Sequence, residues 1–326
     1  MIDQSTIKAH ILQLRNYIAL HGAPWSQRLI DSQAEQSEWN KSILPHPFIQ
    51  TVIIRLSDPA IGIPSISANP ASFQVYGSYY WTLRFLADIG IIRNDIDLDP
   101  IITPLFRYQL EDGQFTSDYR TRNKIPVANI CHTAHLTASL VKLGYGDTPG
   151  VRAAYRYILT TQRFDGGWHC DMHKQAGERD ESASSCPAAT IHVLRALTML
   201  DDVPQAMLDS LSTRVLDFWQ HPSANISTCD PAMQQRYHKL RYPSHYWGYD
   251  LLHIADTVSL ASPALLIANG HEIVYHLLEK CPSNGFVRSD KTIPEWKEFD
   301  FARKNKPSCW ISAMIVRILE RVYFNG

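Results

Sequence analysis

The sequence predicts an all-α fold, and within that class an α/α toroid in which outer helices pair with inner helices around a ring. Three observations predict it. Apolar residues recur at helical spacing along most of the chain. Charged amphipathic stretches alternate with stretches that are more apolar and carry fewer charges. Glycine-containing turns recur at a period of about 50–60 residues, which is typical of repeat architectures.

The repeated turns are the most specific signal. Two of them share Gln and Asp at matching positions, since Gln109 and Asp112 fall 53 residues before Gln162 and Asp165. The third lies about two repeat lengths further on, which leaves room for a degenerate copy around 221–231. The three turns are "YQLEDGQF" (108–115), "TQRFDGGW" (161–168) and "CPSNGFV" (281–287).

Each turn has a glycine at the point where a helix should end. Gly113, Gly166 and Gly285 can adopt the left-handed backbone conformation that terminates a helix. The apolar or aromatic residue that follows can then cover the helix end.

The elements follow in order along the chain. Residues 1–20 form an amphipathic helix, and residues 76–91 form the first inner helix. The predicted outer helices are "DPIITPLFRYQL", "TPGVRAAYRYILTTQ", "MLDSLSTRVLDFWQ" and "LIANGHEIVYHLLEK". The predicted inner helices that follow them are "CHTAHLTASLVKLGYG", "CPAATIHVLRALTML", "YWGYDLLHIADTVSL" and "CWISAMIVRILERVY".

These elements divide the chain at residue 75. Residues 1–75 are expected to brace the ring, and residues 76–326 to form a toroid of about five helix pairs. An open α-solenoid is the structural alternative. The long repeat favours the toroid.

Composition excludes several classes of protein. The chain has 326 residues, 45% of them hydrophobic and 10% aromatic, which is enough for a substantial core. Its formal net charge is −1, so a general attraction to nucleic acid or anionic lipid is not expected, although a local basic patch is compatible with it.

The N-terminal stretch lacks the basic segment and apolar core of a signal peptide. No apolar run approaches the length that spans a bilayer. We therefore expect a cytoplasmic protein without a transmembrane segment. Its six cysteines are then thiols or metal ligands rather than disulfides.

Cysteine and histidine concentrate in two neighbouring repeats. Cys131 and Cys186 open inner helices, Cys170 follows the glycine turn between them, and His132 is adjacent to Cys131. Thiolates and imidazole suit tetrahedral zinc, so these four residues are the candidate metal ligands, with His169 or His173 as substitutes. Packing of buried thiols and a redox role are the alternatives.

The turns and paired helices resemble the repeats of the squalene cyclase and protein prenyltransferase β-subunit superfamily, over roughly residues 76–326. A closer likeness is to a group of bacterial single-toroid repeat proteins of about this length. The stretches that carry it include "GWHC", "SCPAATIHVLRAL", "YDLLHIADTV" and "EWKEFDFARKNKPSCW". The resemblance implies the toroid fold and an isoprenoid substrate.

The resemblance also implies two positions for a catalytic zinc. "CHTAHLTASL" is similar to the helix start that bears the zinc-binding His of prenyltransferases, at His132, and "SSCPAATIHVLRAL" to the one that bears the Cys, at Cys186. The order of the two along this chain is reversed, and no Asp-x-Cys pair is present.

The Asp-x-Asp-Asp motif with which related cyclases protonate an alkene is absent from this chain. Asp250 is the candidate acid instead, with His245 and Tyr246 beside it, because desolvation among aromatic residues raises the pKa of a carboxyl. The alternative is that Asp250 is hydrogen-bonded to a helix end.

A central apolar cavity lined by aromatic residues would suit an isoprenoid or lipid-like substrate. The basic loop 293–310 could hold its diphosphate or carboxylate, or be a solvated loop anchored by tryptophans. The candidate substrate-binding residues are Tyr80, Trp168, Trp247, Lys306 and Trp310, and Tyr79, Trp81 and Tyr246 complete the predicted lining.

The sequence therefore predicts an enzyme that acts on a hydrophobic, isoprenoid-type substrate, with zinc or Asp250 at the reacting end. A binding or scaffold protein with a structural zinc is the second hypothesis. A prenyltransferase β-subunit, which would need a helical partner chain, is the third, and nothing in the charge of the chain indicates such a partner. Fold analogy alone does not decide among these hypotheses.

Overall fold

The computed structural model describes residues 3–31, 36–57, 78–118, 127–169, 184–221, 238–244, 250–282 and 286–324. These residues are predominantly helical, which confirms the all-α prediction. A short antiparallel pair, β1 (Thr116–Asp118) and β2 (Val127–Ala128), is added to the helices. The helices are α1 (Gln4–His21), α2 (Pro24–Ile30), α3 (Gln36–Ile43), α4 (Pro47–Ser57), α5 (Tyr79–Asp88), α6 (Asp99–Leu105), α7 (Ile130–Leu140), α8 (Pro149–Thr160), α9 (Pro187–Leu197), α10 (Gln205–Gln220), α11 (Leu251–Ala261), α12 (Pro263–Ala268), α13 (His271–Glu279) and α14 (Cys309–Tyr323).

The chain forms two compact units. One consists of Met1–Pro45 with Asp202–Gly326, and the other of His46–Asp201. The division expected at residue 75 does not coincide with either boundary. The reason is that α1 packs along α14 at the far end of the chain, where the Arg15 Nε atom donates to Glu320 Oε1 at 2.8 Å.

Burial separates inner from outer helices within unit His46–Asp201. Every residue of α7 and of α9 is buried. These two helices pack against each other, and α7 also packs against α5 and α8. Outer helix α8 instead exposes one side and buries Val151, Ala154, Tyr155, Tyr157 and Ile158. The predicted alternation of helix types is therefore present in this unit.

The other unit repeats the pattern. In α11 ten of the eleven residues are buried, and α14 packs against it. Outer helix α10 contacts α11 with its buried face. Closure of all the inner helices into a ring stays a prediction. Within the described residues, no helix is both long enough and apolar enough to cross a bilayer.

One predicted outer helix is wrong. The stretch "LIANGHEIVYHLLEK" was expected to be continuous, but α12 ends at Ala268 and α13 begins at His271. Gly270 separates the two helices. It lies close to α12, since a Cβ added at Gly270 would be 2.7 Å from Leu266 Cδ1. Asn269 and Gly270 are also poor helix formers, so the break has a local cause.

The repeated turns are present at the first two positions, but their glycines do not end the helices as expected, because those helical segments already stop at Tyr108 and Thr160. Gly113 and Gly166 have φ values of 99° and 86°. In each turn the Gln side chain donates to the glycine carbonyl four residues on, Gln109 to Gly113 at 2.9 Å and Gln162 to Gly166 at 2.8 Å. Gly285 lies outside the described residues, and so does the degenerate copy expected around 221–231, apart from His221.

The two glycines provide a matched test of backbone strain against steric conflict. We expect Gly166→Ala to lower the free energy of unfolding by about 1–2 kcal/mol, because its positive φ disfavours a side chain while the space around it is open. Gly113→Ala should cost clearly more, since its Cβ would lie 2.3 Å from the Ala153 carbonyl oxygen. Urea denaturation of both variants measures the difference, and equal losses would contradict the steric argument.

Candidate functional site

The N-termini of four inner helices are held by one repeated arrangement. The residue before each helix accepts the backbone N–H three residues further on through its side chain. These hydrogen bonds are His132 N to Asn129 Oδ1 (2.7 Å), Ala189 N to Cys186 Sγ (3.3 Å), His253 N to Asp250 Oδ1 (3.2 Å) and Ile311 N to Ser308 Oγ (3.1 Å).

A second hydrogen bond joins three of these helices to the preceding turn. A hydroxyl four residues after the capping residue accepts the backbone N–H of the residue two positions after the turn glycine. The pairs are Phe115 N to Thr133 (3.0 Å), Trp168 N to Thr190 (3.2 Å) and Val287 N to Ser312 (3.4 Å). Val287, the described end of the third repeat, is therefore bound to its inner helix in the same way as Phe115 and Trp168.

This arrangement corrects the alignment of the two predicted zinc-binding cysteines. Cys186 is the capping residue of α9 and corresponds to Asn129, whereas Cys131 is the second residue of α7 and corresponds to Ala188. The two thiols are both buried, but they do not occupy matching positions. In the sequence the two cysteines look equivalent, because each lies at the start of an inner helix. The residues that are equivalent in the structure are the capping residues Asn129 and Cys186.

Three members of the predicted metal set lie among the described residues. Cys131, His132 and Cys186 are not part of any group of three potential ligands within the described residues. The Nδ1 atom of His132 lies 3.3 Å from the Phe115 carbonyl oxygen. Cys170 and His173 lie outside the described residues, so the zinc prediction remains a prediction.

Asp250 has the structural role that the sequence left open. It is fully buried and caps α11. The two residues expected to work with it, His245 and Tyr246, lie outside the described residues, as does Trp247. Its use as a catalytic acid remains a prediction.

The four described substrate-binding candidates belong to different units and surroundings. In unit His46–Asp201, Tyr80 lies among histidine rings, and Trp168 donates its indole N–H to the Ile158 carbonyl at the end of α8 (2.8 Å). In the other unit, Trp310 is buried 5.1 Å from the Tyr242 ring, and Lys306 is exposed.

Two aromatic residues and three histidines on α5, α7 and α9 form a continuous set of ring contacts. Tyr80 stacks on His135 with ring centroids 4.0 Å apart and on His132 at 5.0 Å. Trp81 meets His135 edge-on at 5.0 Å, and His135 meets His192 edge-on at 5.5 Å. All five side chains are buried. We call these residues the ring cluster.

The sequence argument missed His192 and left His135 without a role. Both lie six residues after the capping residue of their helix and 57 residues apart. Thr133 and Thr190 have the same separation. An alignment of the repeats on the capping residues, rather than on the cysteines, would have placed the two histidines side by side.

A second, largely buried group lies at the opposite ends of the same helices. Asp88, the last residue of α5, contacts Arg84 Nε at 2.5 Å, Lys142 Nζ at 2.8 Å and Arg195 Nη2 at 3.5 Å. Burial opposes ionisation of Asp88, but the three cations hold its pKa well below the usual value. We call these four residues the charged cluster.

The ends of the helices compensate much of the positive charge in this cluster. Asp88 is the C-terminal residue of α5, Lys142 follows α7, and Arg195 is in the last turn of α9. The C-terminus of each helix carries a partial negative charge of roughly half a unit. The charged cluster therefore joins three inner helices as a structural element and has little net charge left to bind an anion.

Comparison with known proteins assigns no family. No family model matches the chain, and no curated protein matches it. The resemblance noted above thus depends on the turns and helices themselves, and function has to be argued from the side chains.

Proposed function

We propose that the chain is an enzyme that acts on a hydrophobic, isoprenoid-type substrate, with the ring cluster at the reacting end. The observation that carries this proposal is the contact of Tyr80, Trp81, His132, His135 and His192 on three successive inner helices. Imidazoles in a buried position are costly where apolar side chains would pack. Their presence there supports a chemical role.

The cluster combines two properties that isoprenoid chemistry uses. The faces of Tyr80 and Trp81 can stabilise a positive charge that develops on a hydrocarbon chain. An imidazole is the side chain best suited to take or give a proton near neutral pH. His135 contacts both aromatic residues and His192, so it is the proposed proton-transfer group.

The surroundings of the cluster support an apolar substrate. Residues on α7 and α9 next to the histidines are mostly aliphatic, and all of them are buried. A hydrophobic chain entering between these helices would replace side-chain contacts of similar polarity. Entry requires the described rings to separate, because they are in direct contact.

The test is turnover and binding of prenyl substrates by the purified full-length chain. We expect farnesyl diphosphate or farnesol to quench tryptophan fluorescence through Trp81, and mass spectrometry to detect a product. His135→Gln should reduce turnover by about 10²–10⁴-fold, the usual contribution of a proton-transfer group, while binding changes little. His221→Gln, at an exposed histidine, is the matched control.

The other possible outcomes of this test distinguish between the hypotheses. Binding without any product would favour the second hypothesis, a binding protein, which the complete burial of α7 and α9 also supports. Equal turnover in His135→Gln and His221→Gln would exclude the ring cluster as the reacting end. Absence of binding to either prenyl compound would contradict the substrate class.

Zinc stays a separate proposal, since Cys131, His132, Cys170 and Cys186 have suitable donor atoms. Zinc bound there would supply Lewis acidity or a structural cross-link. The Sγ atom of Cys186 already accepts the Ala189 N–H, a contact that also favours a thiolate. Metal analysis of untagged protein tests the proposal, and a zinc content that Cys186→Ala leaves unchanged would contradict it.

A further inference from the structure

A concentration of exposed positive charge lies on two neighbouring segments, 288–292 and 303–307, just before α14. It consists of Arg288 and Lys291 on the first segment and Arg303, Lys304 and Lys306 on the second, and all five are exposed. We call these five residues the basic surface. It is unexpected in a chain whose formal net charge is only −1.

Backbone hydrogen bonds hold the two segments side by side. Asn305 N donates to the Ser289 carbonyl at 2.9 Å, and Ser289 N donates to the Lys306 carbonyl at 3.4 Å. Ser308 N donates to the Val287 carbonyl at 2.8 Å, which joins the segments at the start of α14. The positive charges are therefore presented from a fixed backbone, not from a loose loop.

Two nearby acidic groups are engaged elsewhere. Asp290 accepts from Leu240 N at 2.8 Å and from Lys280 Nζ at 3.2 Å. Asp300 accepts the backbone N–H groups of Cys309 and Trp310 at the start of α14. Glu298 is partly exposed and adjoins Arg303 through its backbone carbonyl, so its single carboxylate offsets at most one of the five positive charges. Most of the positive charge of the basic surface is therefore not neutralised by these carboxylates and is exposed to solvent.

Apolar side chains border the basic surface. The Phe286 ring lies beneath the Arg288 guanidinium at 4.8 Å and contacts the Tyr17 ring of α1 at 5.5 Å. Leu20 lies three residues after Tyr17 on α1, a spacing that places the two side chains next to each other on one helix face. Leu20 is 79% exposed. Exposed apolar residues beside clustered cations are typical of surfaces that adsorb to membranes.

We propose that the basic surface binds the anionic phosphate headgroups of a lipid bilayer, so that the unit containing α1 and α14 associates peripherally with membranes. A bilayer fits better than a small anion because the five cations are spread over an exposed area and do not converge in a buried pocket. Each basic residue near an anionic leaflet contributes about 1 kcal/mol to such binding.

Vesicle co-sedimentation of the full-length protein tests the proposal. We expect binding to vesicles that contain phosphatidylglycerol and little binding to vesicles of phosphatidylcholine alone. The combined variant Arg288→Gln, Lys291→Gln, Lys304→Gln, Lys306→Gln should reduce partitioning by on the order of a hundredfold or more. The matched control removes four exposed cations elsewhere, Lys8→Gln, Arg107→Gln, Arg152→Gln and Arg156→Gln, and should retain binding.

Two further measurements separate a bilayer from other partners. Leu20→Ser should weaken vesicle binding while leaving the net charge unchanged, and raised salt should weaken it in the native protein. Competition by low concentrations of inorganic diphosphate would indicate a small-anion site and overturn the proposal. Equal losses in the two combined variants, or no binding of the native protein to anionic vesicles, would also overturn it.

Discussion

The Asp88→Asn variant is expected to lose about 3–5 kcal/mol in the free energy of unfolding, a large share of the stability of an ordinary domain. Asparagine keeps the shape of the side chain but removes the negative charge that Arg84, Lys142 and Arg195 share. The three cations, which lie on or directly after three inner helices, would then repel one another in a largely buried position. Urea denaturation followed by circular dichroism measures the loss.

The control is a carboxylate that pairs with a cation in water. Asp147 lies 3.3 Å from Arg152, and its side chain is 89% exposed. Because solvent screens exposed ion pairs, Asp147→Asn should change the free energy of unfolding by less than about 1 kcal/mol. Similar losses in the two variants would show that Asp88 is no more important than a surface charge.

The charged cluster also predicts how stability depends on pH. Desolvation, reinforced by the neighbouring arginines, lowers the pKa of Lys142 to about 8, although Asp88 opposes the shift. Between that value and the usual pKa of lysine, the unfolded chain holds a proton that the folded chain has released, so stability rises with pH. At the acidic end, stability falls as Asp88 becomes protonated in the unfolded chain, below about pH 4.

Some of the fold could be predicted because its causes are local. Gly113 and Gly166 shape their turns through their own positive-φ backbone conformation. In each turn the Gln side chain, four residues earlier, donates to the glycine carbonyl, so the turn is completed within one short segment. The inner helices were predictable because an apolar helix with few charges needs burial on most sides. The break at Gly270 was missed because amphipathic residues continue on both sides of it.

The candidate site was harder to predict because its members meet only after the repeats pack. Asp88, Lys142 and Arg195 are distant along the chain and look like ordinary charged residues at helix ends. His135 and His192 come together because equivalent positions on adjacent helices face each other. The conspicuous cysteines led to the zinc prediction, whereas the structure gives Cys186 and Asp250 the role of capping residues.

Trp168→Ala has an expected cost of about 3–5 kcal/mol in the free energy of unfolding, comparable with that of Asp88→Asn. Trp168 is completely buried, and both of its N–H groups are hydrogen-bonded, the backbone to Thr190 and the indole to Ile158. Trp168→Phe should cost less, because it keeps most of the apolar volume and loses one hydrogen bond worth about 1 kcal/mol. Phe164→Ala, at a 77% exposed position in the same turn, should be close to neutral.

The order of these three costs decides between two roles for Trp168. A substrate-binding tryptophan at the edge of a cavity would lose ligand affinity when truncated, with a modest effect on folding. A tryptophan that joins the end of α8 to the start of α9 would lose stability first, and ligand affinity only as a consequence. Its two hydrogen bonds to backbone and hydroxyl groups of those helices favour the second role. If Trp168→Ala folds as stably as Phe164→Ala but no longer binds prenyl compounds, the first role is correct, and the reacting end must be sought beside the turn instead of in the ring cluster.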